Sequence, residues 1–300
     1  MARMQRWLVL GVVALAACGS FIDNQAARST YRILARSNEV ARRQVDVELA
    51  RDAAPGGLIQ LATFAAAYPD HAGFRELYAE ALCGYVVGFV FDDWEDATLG
   101  GRPDEAARLE QRLGPLLAAC IDANLALLPP AWRAAHGDAL VALIARATRA
   151  QVPAVLWIAT ASAVELGLAP LRNLGKLPVV RAGLARSIQL APGFHDADAE
   201  LLSATLAAAQ SQVMGGEDGG ALFARARALV GEGALIVDVM FARGVAVARK
   251  DRALFEATLA KVLAADVTRW PERRLSNELA RRKARRYLAA EATLIPVNPS

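Results

Sequence analysis

Apolar residues recur at three- and four-residue spacing along most of the chain after Gly57, and hardly any stretch alternates apolar with polar residues. The first spacing is that of one face of an α-helix, whereas alternation is typical of a half-buried strand. Proline and glycine fall between the periodic stretches. The pattern predicts helices at about residues 58–68, 71–97, 103–128, 131–150, 153–168, 176–191, 195–213, 218–230, 234–249, 251–265 and 271–293, and hence an all-α fold.

Prolines close several of these helices at regular intervals. Pro69, Pro129 and Pro192 lie 60 and 63 residues apart, close to two repeats of about 34 residues. The apolar set Phe223, Ala226 and Leu229 recurs as Leu259, Val262 and Ala265, at an offset of 36 residues. These periods favour tetratricopeptide-like helical hairpins that form an α-solenoid over residues 56–293, with an irregular helical bundle as the alternative.

The first residues of the chain have the pattern of a secretion signal. Arg3 and Arg6 precede an apolar run that is much shorter than the roughly 20 residues a membrane-spanning helix needs. The run ends in Leu15-Ala16-Ala17-Cys18, which resembles the lipobox of bacterial lipoproteins. We therefore expect a signal peptide at residues 1–17, a lipid on Cys18 and a lipid-anchored tether over 18–55. An ordinary signal peptide with a chance cysteine is the alternative.

The residue after Cys18 indicates the membrane that holds the anchor, and the charge balance limits the classes of partner. Gly19 stands where an aspartate would favour retention at the inner membrane, so we expect an outer-membrane lipoprotein that faces the periplasm. The whole chain has 34 basic and 31 acidic residues, and loss of Arg3 and Arg6 leaves 32 against 31. This balance and the compartment exclude nucleic acid as a partner. We expect no membrane span after the signal.

Two features concern the core. The predicted helix from Pro153 to Leu168 is apolar on nearly every side, which predicts burial at the centre of the fold or in a subunit contact, and a ligand wall is the sharper alternative. Cys83 and Cys120 lie 17 residues before and 20 residues after a turn near Gly100, so the two helices bring them near registry. An oxidising envelope permits a disulfide, but a lone cysteine in an apolar stretch is usually a small buried hydrophobe, and we favour that reading.

Candidate chemistry is sparse. His71, His136 and His195 are far apart and have no metal-ligand spacing, and the sequence has no GxSxG, P-loop or GxGxxG motif in a suitable context. We therefore predict no catalytic residues, no metal and no cofactor. Two acidic groups are explained more simply. The sequence predicts a solvated turn for Asp92, Asp93, Glu95 and Asp96, and helix capping for Asp196, Asp198 and Glu200.

The last predicted helix is basic on one side and apolar on the other. We read its basic residues first as a solvated face, with a docking surface for an acidic partner or for lipid head groups as the sharper possibility. Asn277 falls on the apolar face, where a buried amide requires partners from a neighbouring loop. The pair Gly215-Gly216 is typical of a helix stop.

The chain carries a series of motifs over about residues 45–290. They are Val47-Glu48-Leu49-Ala50-Arg51-Asp52-Ala53-Ala54-Pro55, Gly84-Tyr85, Gly88-Phe89-Val90, Val152-Pro153-Ala154-Val155-Leu156-Trp157, Val213-Met214-Gly215-Gly216, Arg274-Leu275-Ser276-Asn277, Arg281, Ala284-Arg285 and Tyr287-Leu288. In the order and spacing of these motifs the chain resembles the TatT, or T-component, lipoproteins associated with tripartite ATP-independent periplasmic (TRAP) transporters. The stretch 101–150 matches least.

The resemblance implies cryptic tetratricopeptide-like repeats, a ring-shaped trimer with a pore, and pairing with a periplasmic solute-binding protein. The implied role is to pass a small organic ligand to or from that protein, upstream of the permease. A hydrophobic ligand is one case that fits this role. It marks Trp157, Gly215, Gly216, Asn277, Arg281 and Arg285 as motif positions of unknown role. A general repeat scaffold for envelope assembly is the runner-up function, and a helical periplasmic enzyme is the third class.

Overall fold

The computed structural model describes residues 25–215 and 218–296. Helix makes up 86 % of the structure, and the described residues contain no strand, which confirms the all-α prediction. The main helices are α1 (25–42), α2 (Val47–Ala67), α3 (Ala72–Tyr85, a π-helical turn Val86–Val90, and Phe91–Leu99), α4 (Pro103–Leu125), α5 (Gly137–Ala145), α6 (Val152–Leu168), α7 (Leu177–Leu190), α8 (Phe194–Met214), α9 (Gly220–Val230), α10 (Ile236–Phe241, a π-helical turn Ala242–Ala246, and Val247–Arg249), α11 (Arg252–Ala264) and α12 (Arg274–Ala289).

Short helical turns connect several of these helices. They are the 3₁₀ turns Pro130–Trp132, Arg149–Gln151, Leu174–Lys176, Gly231–Gly233, Val267–Arg269 and Pro271–Arg273, and the single α-turns Pro170–Asn173 and Glu291–Leu294.

Some predicted boundaries are wrong, and tertiary packing explains the differences. We expected a tether up to residue 55 and a helix from about residue 58, but α2 is capped by Asp46 and runs from Val47 through Pro55 to Ala67. Its far half is held by stacking of Phe64 on Phe74, with ring centroids 5.3 Å apart. The predicted helix 131–150 is broken, because Trp132 is buried in a 3₁₀ turn and Gly137, with φ +52°, starts a new helix.

Helices that follow one another along the chain pack together. In the first half of the chain α2 contacts α3, α3 contacts α4, α4 contacts α6 and α6 contacts α7. In the second half α7 contacts α8, α8 contacts α10, α10 contacts α11 and α11 contacts α12. α5 lies on α7, and α9 lies on α8. The last helix then returns to the beginning of the chain, since α12 contacts α2 and makes ion pairs with the end of α3. The two ends of the helical array are therefore joined.

Helix α6 is the core helix that its apolar sequence predicts. Its side chains enter three separate apolar clusters, through Val155 and Ile158, through Ala161 and Val164, and through Leu156 and Ala159. α7 approaches it closely at Gly183, where a Cβ atom would lie 2.7 Å from the Cβ of Ala159. Burial at the centre of the fold is thus confirmed, because neighbouring helices cover nearly the whole circumference.

The same helix corrects our expectation that nothing after the signal could span a membrane. Among the described residues, Arg149–Leu168 is long and apolar enough to do so by length and composition, with a mean hydropathy of 1.4. Because 56 % of that window is buried inside the protein, its apolar character is accounted for by the core.

A disulfide joins α3 to α4. Cys83 and Cys120 are bonded, their Cα atoms are 5.1 Å apart, and both are fully buried. The side-chain amide of Asn124 donates to the Cys83 sulfur and to the Cys120 carbonyl oxygen at 3.2 and 2.9 Å. The predicted registry of the two helices is confirmed. Our preference for two separate buried thiols is wrong.

Candidate functional site

The most elaborate polar site in the described residues is the contact between the end of α3 and α12, which we name the junction: Asp92, Glu95 and Asp96 of α3 with Lys283, Arg286 and Tyr287 of α12. At its centre the Arg286 guanidinium donates to both carboxylate oxygens of Asp92, at 2.7 and 3.0 Å. It also donates to Glu95 at 2.7 Å and to Asp96 at 2.9 Å. Asp92 is 2 % exposed and Arg286 8 %. This is a buried, bidentate charge pair with additional acceptors.

Lys283 and Tyr287 complete the junction. The Lys283 ammonium lies 2.8 Å from Asp92 and 2.6 Å from Glu95, and the Tyr287 hydroxyl donates to the other oxygen of Glu95 at 2.7 Å. Burial by itself would raise the pKa of Asp92, but Lys283 and Arg286 hold it below its ordinary value. The pKa of Glu95 is lowered in the same way, against its burial, chiefly by Lys283. Both groups are therefore carboxylates at neutral pH.

α2 adds a more exposed rim to the junction. Arg51 lies 2.6 Å from Asp93, and Arg282 lies 2.7 Å from Glu48. The Glu48 side chain is 63 % exposed, so this part faces solvent. Burial raises the pKa of Asp93, and Arg51 and Arg282 only partly oppose it. The rim thus ties the start of α2 into the same contact with weaker interactions.

The prediction of a solvated turn at Asp92, Asp93, Glu95 and Asp96 is wrong, and so is a fully solvated basic face on the last helix. The acidic residues at positions 92, 95 and 96 share one helix face, as do the basic residues at 282, 283 and 286. Such i, i+3 and i, i+4 spacing on two helices of opposite charge was the available signal. The spacing alone could not predict that the two faces are in contact, because they are about 190 residues apart in the chain.

A second acidic group lies at the start of α8 and has different surroundings. Asp196 accepts from the Arg273 guanidinium at 2.6 and 2.9 Å. One oxygen of Glu200 accepts from the backbone N–H of Gly193 at 3.0 Å, while the other is buried with no hydrogen-bond partner among the described residues. Burial, together with the charges of Asp196 and Glu200, raises the pKa of Asp198 to about 7. The predicted helix capping is wrong, because the N-cap residue is Gly193 and no side chain caps α8, although Asp196 does lie in its first turn.

Aromatic residues lie beside this group. The Phe194 ring stacks on His195 with centroids 4.4 Å apart, and Trp157 of α6 meets His195 edge-on at 6.5 Å. Burial lowers the pKa of His195, so its imidazole is neutral at pH 7, although Glu80 opposes the shift. Glu80 itself pairs with Arg42 at 3.0 Å. The histidine therefore lies between α3, α6 and α8 as part of an aromatic contact. In the described part of the chain, no group of three or more His, Cys, Asp or Glu residues is placed to hold a metal ion.

The motif positions are scattered over the fold. Asn277 is 1 % exposed, accepts from the N–H of Leu235 at 3.2 Å and donates to the carbonyl oxygen of Gly233 at 3.0 Å, so the predicted loop partners are confirmed. Arg281 donates to the Leu263 carbonyl at 3.2 Å, which ties α12 to α11.

The remaining motif positions have no shared site. Arg285 is exposed beside the buried Arg286, and Gly215 ends α8 with φ +74°, which confirms the helix stop there. Gly216 and Cys18 lie outside the described residues. Among the motif positions that the structure describes, no hydrogen bond or ion pair links Trp157 to the others, and their roles stay unassigned.

Two shallow grooves lie on the surface of the described residues. One, of about 450 Å³, is lined almost entirely by small side chains between the Pro130–Trp132 turn and α5, with Arg146 at its edge. The other, of about 310 Å³, lies between α9, α10 and α11 and includes the Arg227–Asp238 ion pair and the Phe241 ring. Neither groove contains a paired nucleophile and base.

These features define the protein as an all-helical array whose ends are joined by a buried charge junction and whose surface carries shallow grooves. The sequence model of the TAtT family, described as TRAP transporter T-component, matches residues 43–295, and the chain belongs to this family. A search among curated proteins finds no match. Membership makes the protein an accessory component of a TRAP transport system and indicates a periplasmic or envelope location; the family is not a known enzyme family.

Proposed function

We propose that this protein is a periplasm-facing lipoprotein that binds the solute-binding protein of a TRAP system and helps transfer a small organic ligand, with hydrophobic ligands as the first candidates. The family match over residues 43–295 carries the proposal, because it includes nearly all of the described helices. The role is one of binding and transfer without catalysis, and without a cofactor or nucleic acid.

The helical architecture supports this role. We infer that the helix pairs are degenerate tetratricopeptide-like repeats that form an α-solenoid. Phe223 and Ala226 of α9 are fully buried, as are Leu259 and Val262, the residues 36 positions later in α11. Equivalent burial at a constant offset is what stacked repeats require, and it is found at two of the three predicted positions, since Leu229 is 44 % exposed. Surfaces of this kind recognise protein partners, and a homotrimer would extend them.

The start of the chain supports attachment to the envelope. We propose that signal residues 1–17 are removed, that Cys18 carries the lipid, that residues 18–55 form the lipid-anchored segment between the membrane and the rest of the helical array, and that the anchor lies in the outer membrane. The lipobox Leu15-Ala16-Ala17-Cys18 supports this proposal. The proposal assigns no role to the motif positions Trp157, Gly215, Gly216, Asn277, Arg281 and Arg285.

The test is a binding experiment. The lipid-free chain from Gly19 to Ser300 would be mixed with the solute-binding protein encoded nearest to it and followed by analytical ultracentrifugation, with and without ligand. We expect a faster-sedimenting complex. Absence of association at tens of micromolar, in both ligand states and at low salt, would contradict the proposal and favour a general scaffold in envelope assembly. A solute-binding protein from an unrelated transporter serves as the negative control.

A matched pair of variants locates the surface. Arg285 on α12 and Arg225 on α9 are both exposed and have no ion-pair partner among the described residues. If the basic helix contacts the partner, Arg285→Glu weakens association and Arg225→Glu does not. Raising salt from 0.1 to 1 M should weaken such a charged contact, because the Debye length falls from about 10 Å to about 3 Å. Equal effects of the two variants would exclude α12 as the contact.

A further inference from the structure

The first helix has one face that packs on the protein and one that does not. On the inner face Ala27 is 2 % exposed, and the Tyr31 ring meets Phe74 of α3 edge-on at 5.9 Å. At the other end of α1, Arg42 pairs with Glu80 of α3 at 3.0 Å. These contacts at both ends fix the helix along α3 and leave its opposite face exposed.

The exposed face of α1 is strongly basic. Residues 25–43 contain five arginines and one glutamate, a net charge of about +4, and of the arginines only Arg42 is paired with another described residue, Glu80. Arg28, Arg32 and Arg36 follow one another at four-residue spacing, so they form one row along the helix. None of the three makes an ion pair with any described residue. The row is a concentrated positive charge that the protein itself does not neutralise.

Large apolar side chains lie beside this row. Ile33 is 67 % exposed and Val40, two turns further on, is 69 % exposed. Val45, Leu49 and Ile59 follow in the loop and in α2, and together these are five of the eleven large apolar side chains exposed in the described part of the chain. A helix with a basic row next to exposed aliphatic residues is typical of segments that lie on a membrane surface.

We propose that the exposed face of α1 binds the surface of an anionic lipid bilayer. The proposal rests on the lipid anchor at Cys18 proposed above, because seven residues from Cys18 to the start of α1 span at most about 25 Å. The anchor therefore holds the arginine row near the head groups, where each basic side chain is attracted to anionic lipid. Weak binding by the face becomes effective because the anchor makes it intramolecular. The contact would fix the orientation of the helical array relative to the membrane.

The test uses the chain from Gly19 to Ser300 without lipid, so that only the protein surface can bind. Vesicles of phosphatidylethanolamine with phosphatidylglycerol would be compared with vesicles of phosphatidylcholine alone, by co-sedimentation at 0.05 M salt. We expect at least tenfold stronger partitioning onto the anionic vesicles. The combined Arg28→Gln, Arg32→Gln and Arg36→Gln variant should lose at least tenfold of that partitioning.

A charge-matched control separates this face from the general effect of net charge. Arg108, Arg146 and Arg225 are exposed and unpaired among the described residues, and they lie elsewhere on the fold. Replacing all three with Gln removes the same charge and should leave vesicle binding within about twofold. Circular dichroism checks that both variants remain folded. Wild-type protein that does not bind anionic vesicles, or a control variant that loses as much binding as the α1 variant, would overturn the proposal.

Two further outcomes are decisive. If the α1 variant loses self-association in ultracentrifugation but keeps vesicle binding, the face is a contact between copies of the chain and the proposal is wrong. Association with the solute-binding protein, measured on the same samples, is independent of vesicle binding. Absence of vesicle binding alone would mean that this proposal fails. Absence of association with the solute-binding protein alone would mean that the transport function fails.

Discussion

The acidic group at the junction and the acidic group at the start of α8 have similar compositions, but the pKa values of their buried carboxyls are shifted in opposite directions. At the junction, Asp92 and Glu95 are buried beside Arg286 and Lys283, and their pKa values are lowered despite burial. At the start of α8, Asp198 has carboxylates as its charged neighbours, and its pKa is raised to about 7. Burial acts in the same direction in both places, so for Asp92 and Asp198 the sign of the neighbouring charges decides the direction of the pKa shift.

The comparison shows how similar carboxyl-rich segments serve different structural purposes. At the junction each buried charge is compensated by a partner of opposite sign. Removal of one partner leaves an uncompensated buried charge, which is costly. The group at α8 is most stable when Asp198 holds a proton, because a third charge beside Asp196 and Glu200 would be uncompensated. Removing a cation should therefore damage the first site strongly, and removing a carboxylate charge should relieve the second.

The largest expected effect follows from removal of the central cation. Arg286→Met keeps much of the side-chain volume but removes the bidentate partner of Asp92, which is 2 % exposed. Lys283 at 2.8 Å and Arg282 at 3.8 Å then remain as its cations. We expect the free energy of unfolding to fall by about 3–5 kcal/mol, the usual cost of breaking a buried pair from one side. Urea denaturation at pH 7 measures it.

The neighbouring Arg285 provides the control for this variant. Because Arg285 is exposed and unpaired among the described residues, Arg285→Met should change stability by less than about 0.5 kcal/mol. Adding Asp92→Asn to Arg286→Met should recover part of the loss, since no unpaired charge then remains at the centre. Equal costs for Arg285→Met and Arg286→Met would show that the junction does not hold the ends together.

An intermediate effect, of opposite sign, is expected for Asp198→Asn. Between about pH 4 and pH 7 the folded protein keeps the Asp198 proton, while the unfolded chain, with a pKa near 3.8, releases it. The folded state binds more protons in this window, so the free energy of unfolding falls as pH rises through it. The variant should remove this dependence and exceed the wild type in stability at pH 8 by about 1–3 kcal/mol.

The measurement is the difference between Asp198→Asn and wild type in urea denaturation at pH 5 and pH 8. The difference in the free energy of unfolding removes the contribution of groups that titrate alike in the two proteins, including His195. Asp92 should behave in the reverse way, because a lowered pKa contributes stability that is lost only as pH falls below about 3.8. An Asp198→Asn protein that is less stable than wild type at pH 8 would contradict the account of the α8 group.

The smallest effect is expected at the rim of the junction. Glu48→Gln removes the contact with Arg282, but the Glu48 side chain is 63 % exposed. Solvent and salt screen such a pair, so the cost should be below about 0.5 kcal/mol at 0.1 M salt and should vanish at 1 M. A cost above about 2 kcal/mol would mean that the rim, and not the buried centre, holds the ends together.

Local pattern predicted much of the fold but little of the charge pairing. The periodic apolar positions indicated the helices, and the fully apolar composition of α6 indicated its burial, because both depend on residues close in sequence. Asn277 was predicted to need loop partners for the same reason. Arg286 and Asp92 could not be paired from sequence, because their contact depends on the path of the whole helical array. The disulfide lies between these cases, since registry placed Cys83 near Cys120 but could not decide whether they bond.

The most direct test of the contrast between the two acidic groups is a pH titration of side-chain carboxyl carbons, with ¹³C-labelled aspartate in the chain from Gly19 to Ser300. Asp92→Asn and Asp198→Asn proteins would assign the two resonances. The account predicts a midpoint near 7 for Asp198 and a midpoint below 3.8 for Asp92. Midpoints near 4 for both groups would contradict it, because the surroundings of the two carboxyls would then have no opposing effect.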